Sequence, residues 1–178
     1  MQTNKTKKSI VVLKHKNIFD YAIDRIQSGH NGCSVIIPHV CNNVNAFGAG
    51  FAGAIGQRFP EVKTNFHLLG KSAKLGQTQF VTAKIDATYK HQLIFANMIS
   101  QNGLISHSNK RPLNYAALVY SMNEVRQYYK KINSQIDNPN IEIHCPKFGS
   151  GLAGGNWDFI EQLIQDIWFD CTTYVYIK

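Results

Sequence analysis

Six short runs of apolar and β-branched residues punctuate this 178-residue chain, and segments with helical periodicity separate most of them. The runs cover residues 9–13 (SIVVL), 34–40 (SVIIPHV), 78–85, 92–98 (QLIFANM), 141–146 (IEIHCP) and 172–177 (TTYVYI). They are short and nearly continuous, which suits strands covered on both faces. Between them, Ile18, Tyr21, Ala22 and Ile26 share one helical face that stops at Gly29. Tyr115, Leu118, Val119, Met122, Val125 and Tyr129 form a longer stripe after Pro112, and Ile160, Leu163, Ile164 and Ile167 precede the last strand. Shorter helices are expected over residues 51–59 and 61–69, broken at Pro60. Strands that alternate with helices predict an α/β sandwich with a mostly parallel sheet.

Composition narrows the setting. Ten Phe, eight Tyr and two Trp, with many Ile and Val, supply enough apolar area to exclude a disordered chain. Residues 9–178 read as one domain, preceded by a flexible basic arm over residues 1–8 that carries Lys5, Lys7 and Lys8. No apolar run approaches the roughly 20 residues needed to cross a bilayer, and the first residues lack a signal-peptide core. A cytoplasmic protein is the expectation, in the host cytoplasm if the chain is phage-encoded. Cys33, Cys41, Cys145 and Cys171 show no CxxC spacing and are read as reduced. With 19 Lys and Arg against 11 Asp and Glu, the net charge of +8 favours an anionic partner without naming it. One loop, residues 100–112 (SQNGLISHSNKRP), reads equally as a functional lid or as an ordinary crossover.

Two runs carry the strongest chemical signal. Gly48-Ala49-Gly50-Phe51-Ala52-Gly53 and Gly149-Ser150-Gly151-Leu152-Ala153-Gly154 both fit GxGxxG, and each lies between a strand and a helical segment. Glycines let backbone N–H groups approach a phosphate, and a helix N-terminus adds partial positive charge. Eight residues separate His39 from Gly48, and residues 62–85 hold no Asp or Glu, which argues against a Rossmann site. Neither run ends in Gly-Lys-Ser/Thr, so a P-loop is excluded. Either run alone would suit a tight strand-to-helix turn. As a pair at the carboxyl ends of two strands, they suit a diphosphate held between two loops.

The chain resembles the macrodomain superfamily of ADP-ribose-binding modules over nearly its whole length. Three blocks carry the resemblance: HVCNNVNAFGAGFAG at 39–53, FANMISQNG at 95–103 and CPKFGSGLAGGNW at 145–157. It is most similar to the branch that holds ADP-ribose 1″-phosphate phosphatases and the single-domain glycohydrolases that remove ADP-ribose from glutamate. The resemblance implies a three-layer α/β/α sandwich around a mixed, mostly parallel sheet of about six strands. It implies that the Gly48–Gly53 loop lines the diphosphate and distal ribose while the Gly149–Gly154 loop closes from the other side. His39, in the HxCN motif, is the candidate catalytic residue, able to act on water or a leaving oxygen or to bond the ribose. The candidate substrate-binding residues are Asn42, Gly48, Ala49, Gly50, Phe51, Phe148, Gly149, Ser150, Gly151, Leu152, Ala153 and Gly154. No metal or cofactor is implied. The expected ligands are ADP-ribose or ADP-ribose 1″-phosphate, with ADP-ribosylated protein as a further partner. Nucleic acid and membrane partners are not expected, and the chain is expected to be a monomer.

Three departures keep the activity open. Ala153 stands where the glutamate-directed hydrolases carry their catalytic Asp, and Asn156 stands where relatives more often show Asp. Asp158 suits either the site or the first turn of a helix. Residues 13–17 hold no Asp for an adenine amino group, and nearby Asp20 suits a surface position equally well. The readings are therefore a phosphatase acting on ADP-ribose 1″-phosphate, a reader without turnover, or a de-ADP-ribosylating hydrolase.

Overall fold

The computed structural model describes residues 10–134 and 140–177. The expected arm over residues 1–8 lies outside them. In chain order the elements are β1 (Val11–Lys14), α1 (Ile18–Gln27), β2 (Ser34–Asn42), α2 (Gly50–Arg58), α3 (Pro60–Leu69), β3 (Thr78–Ile85), β4 (Gln92–Gln101), α4 (Tyr115–Asn133), β5 (Ile141–Pro146), α5 (Trp157–Ile167) and β6 (Thr173–Ile177). They form one mixed six-stranded sheet in the order β1-β6-β5-β2-β4-β3. Every neighbouring pair is parallel except β3 and β4. Among the described residues no helix is long and apolar enough to cross a membrane.

Alternation along the central strands separates two cores. Val35 and Ile37 of β2, with Leu93, Phe95 and Ile99 of β4, turn to the face covered by α1, α2 and α3. Ile36, Ile94, Ala96, Met98 and Ile143 turn to the other face, under α4 and α5. Apolar residues at both parities explain why these runs lack alternation in the sequence. Both β2 and β4 run further than their apolar runs, to Asn42 and Gln101, because they pair with each other up to that point, with a register shift between Cys41 and Asn42.

Helix ends follow side-chain chemistry. Asn17, Asn114 and Asn156 cap α1, α4 and α5 by accepting from first-turn amides. Pro60 occupies the first turn of α3, where its missing N–H costs nothing. No side chain caps α2, which begins after Ala49. Its open N-terminus lies at the end of β2, where the chain turns onto the α1–α3 face; at the end of β5, the chain turns onto the α4–α5 face instead. Because β2 and β5 are adjacent and parallel, their divergence opens a crevice beyond their carboxyl ends.

A buried polar network braces α1 against the sheet. Arg25 Nε and Nη2 donate to the two oxygens of Glu142 at 3.0 and 2.8 Å. His144 Nε2 donates to Glu142 Oε2 at 2.9 Å, and the Tyr176 hydroxyl donates to His144 Nδ1 at 2.7 Å. Burial opposes the Glu142 charge, yet the hydrogen bonds from His144 and Arg25 outweigh it and hold the carboxyl down at about 2. Burial likewise lowers His144, against the pull of Glu142, so the imidazole favours its neutral form.

An unfolded chain protonates both groups at higher pH than the folded one. Their contribution to stability is therefore complete above the ordinary histidine range and decreases as pH falls. For Glu142 the loss begins at the ordinary carboxylate range and continues toward about 2. Urea denaturation between pH 5 and pH 3 is expected to show a loss on the order of 2 kcal/mol from this carboxylate. Glu142→Gln should be less stable at neutral pH and flatter across that window. An unchanged slope would assign the acid sensitivity elsewhere.

Candidate functional site

The crevice is a cleft of about 700 Å³, bounded by the loops that follow β2, β4 and β5 and by α3. The first loop is shaped by amides. Asn42 Oδ1 accepts from the backbone N–H groups of Val44 and Ala46 at 3.1 and 3.0 Å, and its Nδ2 donates to the Ala46 carbonyl at 2.7 Å. The loop then buries Phe47 and leaves Gly48, Ala49 and Gly50 exposed at the start of α2. With no capping side chain there, the N-terminal turn of α2 presents backbone amides and the positive end of its dipole.

The second loop runs from Lys147 to Asn156. Phe148 is buried, with its ring centroid 6.2 Å from Trp157 and 5.9 Å from Trp168, and so anchors the loop's start. Ser150 Oγ donates to the Lys147 carbonyl at 2.9 Å, and Leu113 N donates to the Ala153 carbonyl at 3.0 Å. Leu152 reaches across the cleft, its Cδ1 only 3.4 Å from where a Cβ on Gly50 would lie.

The glycines divide into two kinds. Gly154 has φ +70°, and a Cβ there would lie 2.7 Å from the Lys110 carbonyl oxygen, so the fold itself requires glycine. Gly48 and Gly151 have no left-handed φ, and no atom lies within 4 Å of an added Cβ. Both line the cleft, and nothing inside the protein requires a bare backbone at either position.

His39, at 2 % exposure, forms part of the floor. Its Nε2 lies 2.6 Å from Asn97 Oδ1, while Asn97 Nδ2 donates to Gln79 Oε1 at 2.9 Å. That arrangement puts the ring proton on Nε2 and leaves Nδ1 as the lone-pair nitrogen, with Cys41 Sγ 3.6 Å away. Phe47 and Phe51 meet the imidazole edge-on. Burial pushes its pKa down to about 4, against the opposing effect of Asn97, so the ring is neutral at neutral pH.

Of the residues expected at the site, His39, Asn42, Gly48, Ala49, Gly50, Phe51, Phe148, Gly149, Gly151, Leu152 and Ala153 line this one cleft. Ser150 and Gly154 belong to the same loop but lie outside the lining, where they shape the turn. Asn156 is the cap of α5, and Asp158 sits exposed in its first turn. Asp20 is a surface residue paired with Arg58 at 2.7 Å.

The cleft also holds Lys63 and His67 of α3 and Lys147, which the sequence did not single out, and Gln101, Leu104 and Ile105 of the 100–112 loop, read there as a lid or a crossover. Leu104 and Ile105 come from the 100–112 loop, which forms a wall of the cleft. Asn43 fixes that wall: its Nδ2 donates to Asn102 Oδ1 at 3.0 Å, and its Oδ1 accepts from Gly103 N at 2.8 Å. Two adjacent apolar residues within a polar loop were the available signal. For Lys63 and His67 it was their four-residue spacing on the second helical segment after the first glycine run. The described lining contains no Asp or Glu. It can supply backbone donors, two lysines, two histidines and apolar surface.

No family model matches the chain. Over 148 residues it is 24% identical to the ADP-ribose 1″-phosphate phosphatase of Lodderomyces elongisporus, spanning 79% of this chain and 85% of that protein. It superposes on a macrodomain protein from Streptomyces coelicolor with a TM-score of 0.68 at 23% identity, covering 96% of this chain and 99% of the other. With Thermosipho africanus DarTG in complex with ADP-ribose, the TM-score is 0.67 at 17% identity, over 94% of this chain and 42% of the other. The two structural likenesses are likenesses of fold.

The two kinds of glycine separate in a stability measurement. Gly154→Ala should lose about 1–3 kcal/mol, because a side chain is forced into a left-handed backbone. Gly151→Ala should stay within about 1 kcal/mol of wild type, on the stabilising side, through reduced freedom of the unfolded chain. Chemical denaturation of the two variants measures the contrast, and equal losses would mean that Gly151 also serves the fold.

Proposed function

We propose, for a chain that has the fold of the macrodomain superfamily, that the cleft binds ADP-ribose with its diphosphate between the two glycine loops. One observation carries this reading. Gly48 and Gly151 are bare where the fold has no use for bareness, one on each loop. Such positions suit backbone amides approached closely by phosphate oxygens, with the uncapped start of α2 adding its dipole. The cleft volume of about 700 Å³ is in the range that accommodates a ligand of this size.

The activity proposed is hydrolysis of ADP-ribose 1″-phosphate, supported by similarity to the Lodderomyces enzyme. Water adds to phosphorus as the bond from phosphorus to the distal ribose oxygen breaks, giving ADP-ribose and inorganic phosphate. Backbone N–H groups of the first loop hold the diphosphate and so orient the distal ribose and its phosphate for attack. His39 is neutral and enters as a base: Asn97 holds Nε2–H, and Nδ1 accepts a proton from water and passes it to the departing ribose oxygen. The second reading is a domain that binds ADP-ribose or ADP-ribosylated protein without turnover. Two observations favour it: the described lining has no carboxylate, and burial leaves His39 a weak base. A de-ADP-ribosylating route through a carboxylate in the second loop is not available at Ala153, which is buried and apolar.

Calorimetric titration with ADP-ribose is expected to give a dissociation constant of about 1–100 μM, or roughly −8 to −5 kcal/mol. Gly151→Val should weaken it by about tenfold or more while the fold persists, because a side chain then occupies the approach to the backbone. Absence of heat at millimolar ligand would end the ADP-ribose reading. Incubation with ADP-ribose 1″-phosphate should release phosphate, and His39→Ala should slow release by about a hundredfold or more. Binding without phosphate release identifies a reader, and an undiminished rate in His39→Ala removes the histidine from the chemistry.

A further inference from the structure

A diphosphate between the loops after β2 and β5 leaves the two ends of its ligand over different parts of the sheet. One end lies toward β6, the other toward β4 and β3. The second end carries two basic side chains from α3, which packs over that side of the sheet. Lys63 and His67 are four residues apart, so they sit on one side of the helix one turn from each other, and both line the cleft.

Their surroundings are built to present them. The aliphatic stem of Lys63 lies against Gly56 of α2, where an added Cβ would meet Lys63 Cδ at 3.2 Å and Cβ at 3.5 Å. His67 Nδ1 lies 3.1 Å from Asn45 Oδ1, which fixes the ring from the first glycine loop. Among the described residues Lys63 makes no ion pair, and no carboxylate of the cleft lining offsets either residue. Lys147, the other lysine of the lining, lies with Nζ 5.4 Å from the centre of the Trp157 ring and so is engaged on the α5 side. Leu104 and Ile105 bring apolar surface into the same cleft.

We propose that Lys63 and His67 are the specificity-determining pair of the cleft and receive a phosphate carried on the distal ribose, so that phosphorylated ADP-ribose is preferred over ADP-ribose. The inference rests on the ADP-ribose reading above. Backbone amides and the α2 dipole serve the diphosphate, whereas a phosphate monoester adds about −1.5 to −2 charge at neutral pH and needs side-chain cations.

The test uses displacement of a fluorescent ADP-ribose by ADP-ribose and by ADP-ribose 1″-phosphate, read before turnover. It compares wild type with Lys63→Met, Lys63→Arg and His67→Asn. Lys63→Met keeps the stem over Gly56 and removes only the charge, and thermal melting confirms that each variant is folded. Wild type should favour the phosphorylated ligand by about tenfold or more. Lys63→Met and His67→Asn should each reduce that preference by about fivefold, while Lys63→Arg keeps most of it. If both affinities fall by the same factor in Lys63→Met, the lysine supplies only general attraction and the proposal is wrong. Equal wild-type affinity for the two ligands overturns it as well, with ADP-ribose binding intact. Failure of both ligands to displace the fluorophore overturns the ADP-ribose reading itself.

Discussion

The divergence of two adjacent parallel strands is the constraint on which the rest of the molecule depends. Since β2 feeds a helix on one face and β5 feeds a helix on the other, no helix lies over their shared carboxyl end. Each glycine run occupies one side of that gap. The uncapped start of α2 faces it, and the buried His39 closes its floor. Were both crossovers on the same face, the same residues would pack against each other and enclose no volume.

The central strands β2 and β4 were legible because a doubly covered parallel strand must be apolar at both parities; the first run, expected to be covered on both faces as well, is the edge strand β1, where Val11 and Val12 are exposed. Ile36 and Ile37 point to opposite cores, yet both are fully buried. The glycine runs were legible as a pair for a similar reason, since bare backbone leaves a mark in the sequence. What the linear text concealed were contributions from elements whose own periodicity speaks only of their buried side. Val62 and Phe66 identify the apolar face of α3, and nothing in that pattern says that the exposed Lys63 and His67 also border a cleft. Asn42 has a structural task that its place in a motif did not reveal: it lines the cleft, and its amide oxygen accepts two backbone N–H groups while its nitrogen donates to the turn it closes.

The electrostatic character of the site also differs from what the net charge of +8 suggests. Its centre is neutral: an imidazole kept uncharged by burial, thiol and amide groups, and backbone donors. Full charges stand only at the rim, on α3 and at Lys147. A centre of fixed dipoles needs little reorganisation when an anion arrives, while lysines at the edge attract one from a distance, an attraction that salt screens.

Three asparagines in the first loop fasten three different walls to the end of one strand. Asn42 holds the loop itself, Asn43 the 100–112 loop, and Asn45 the imidazole of His67. Two of these ties, those of Asn42 and Asn43, join only uncharged groups. They neither weaken as counter-ions accumulate nor change as protons come and go. A phosphorylated nucleotide, by contrast, changes its own ionisation near neutrality. The shape of those two walls is thus insulated from the variable that would most alter the proposed guest: acidity changes what such a ligand carries, while the Asn42 and Asn43 ties keep their form.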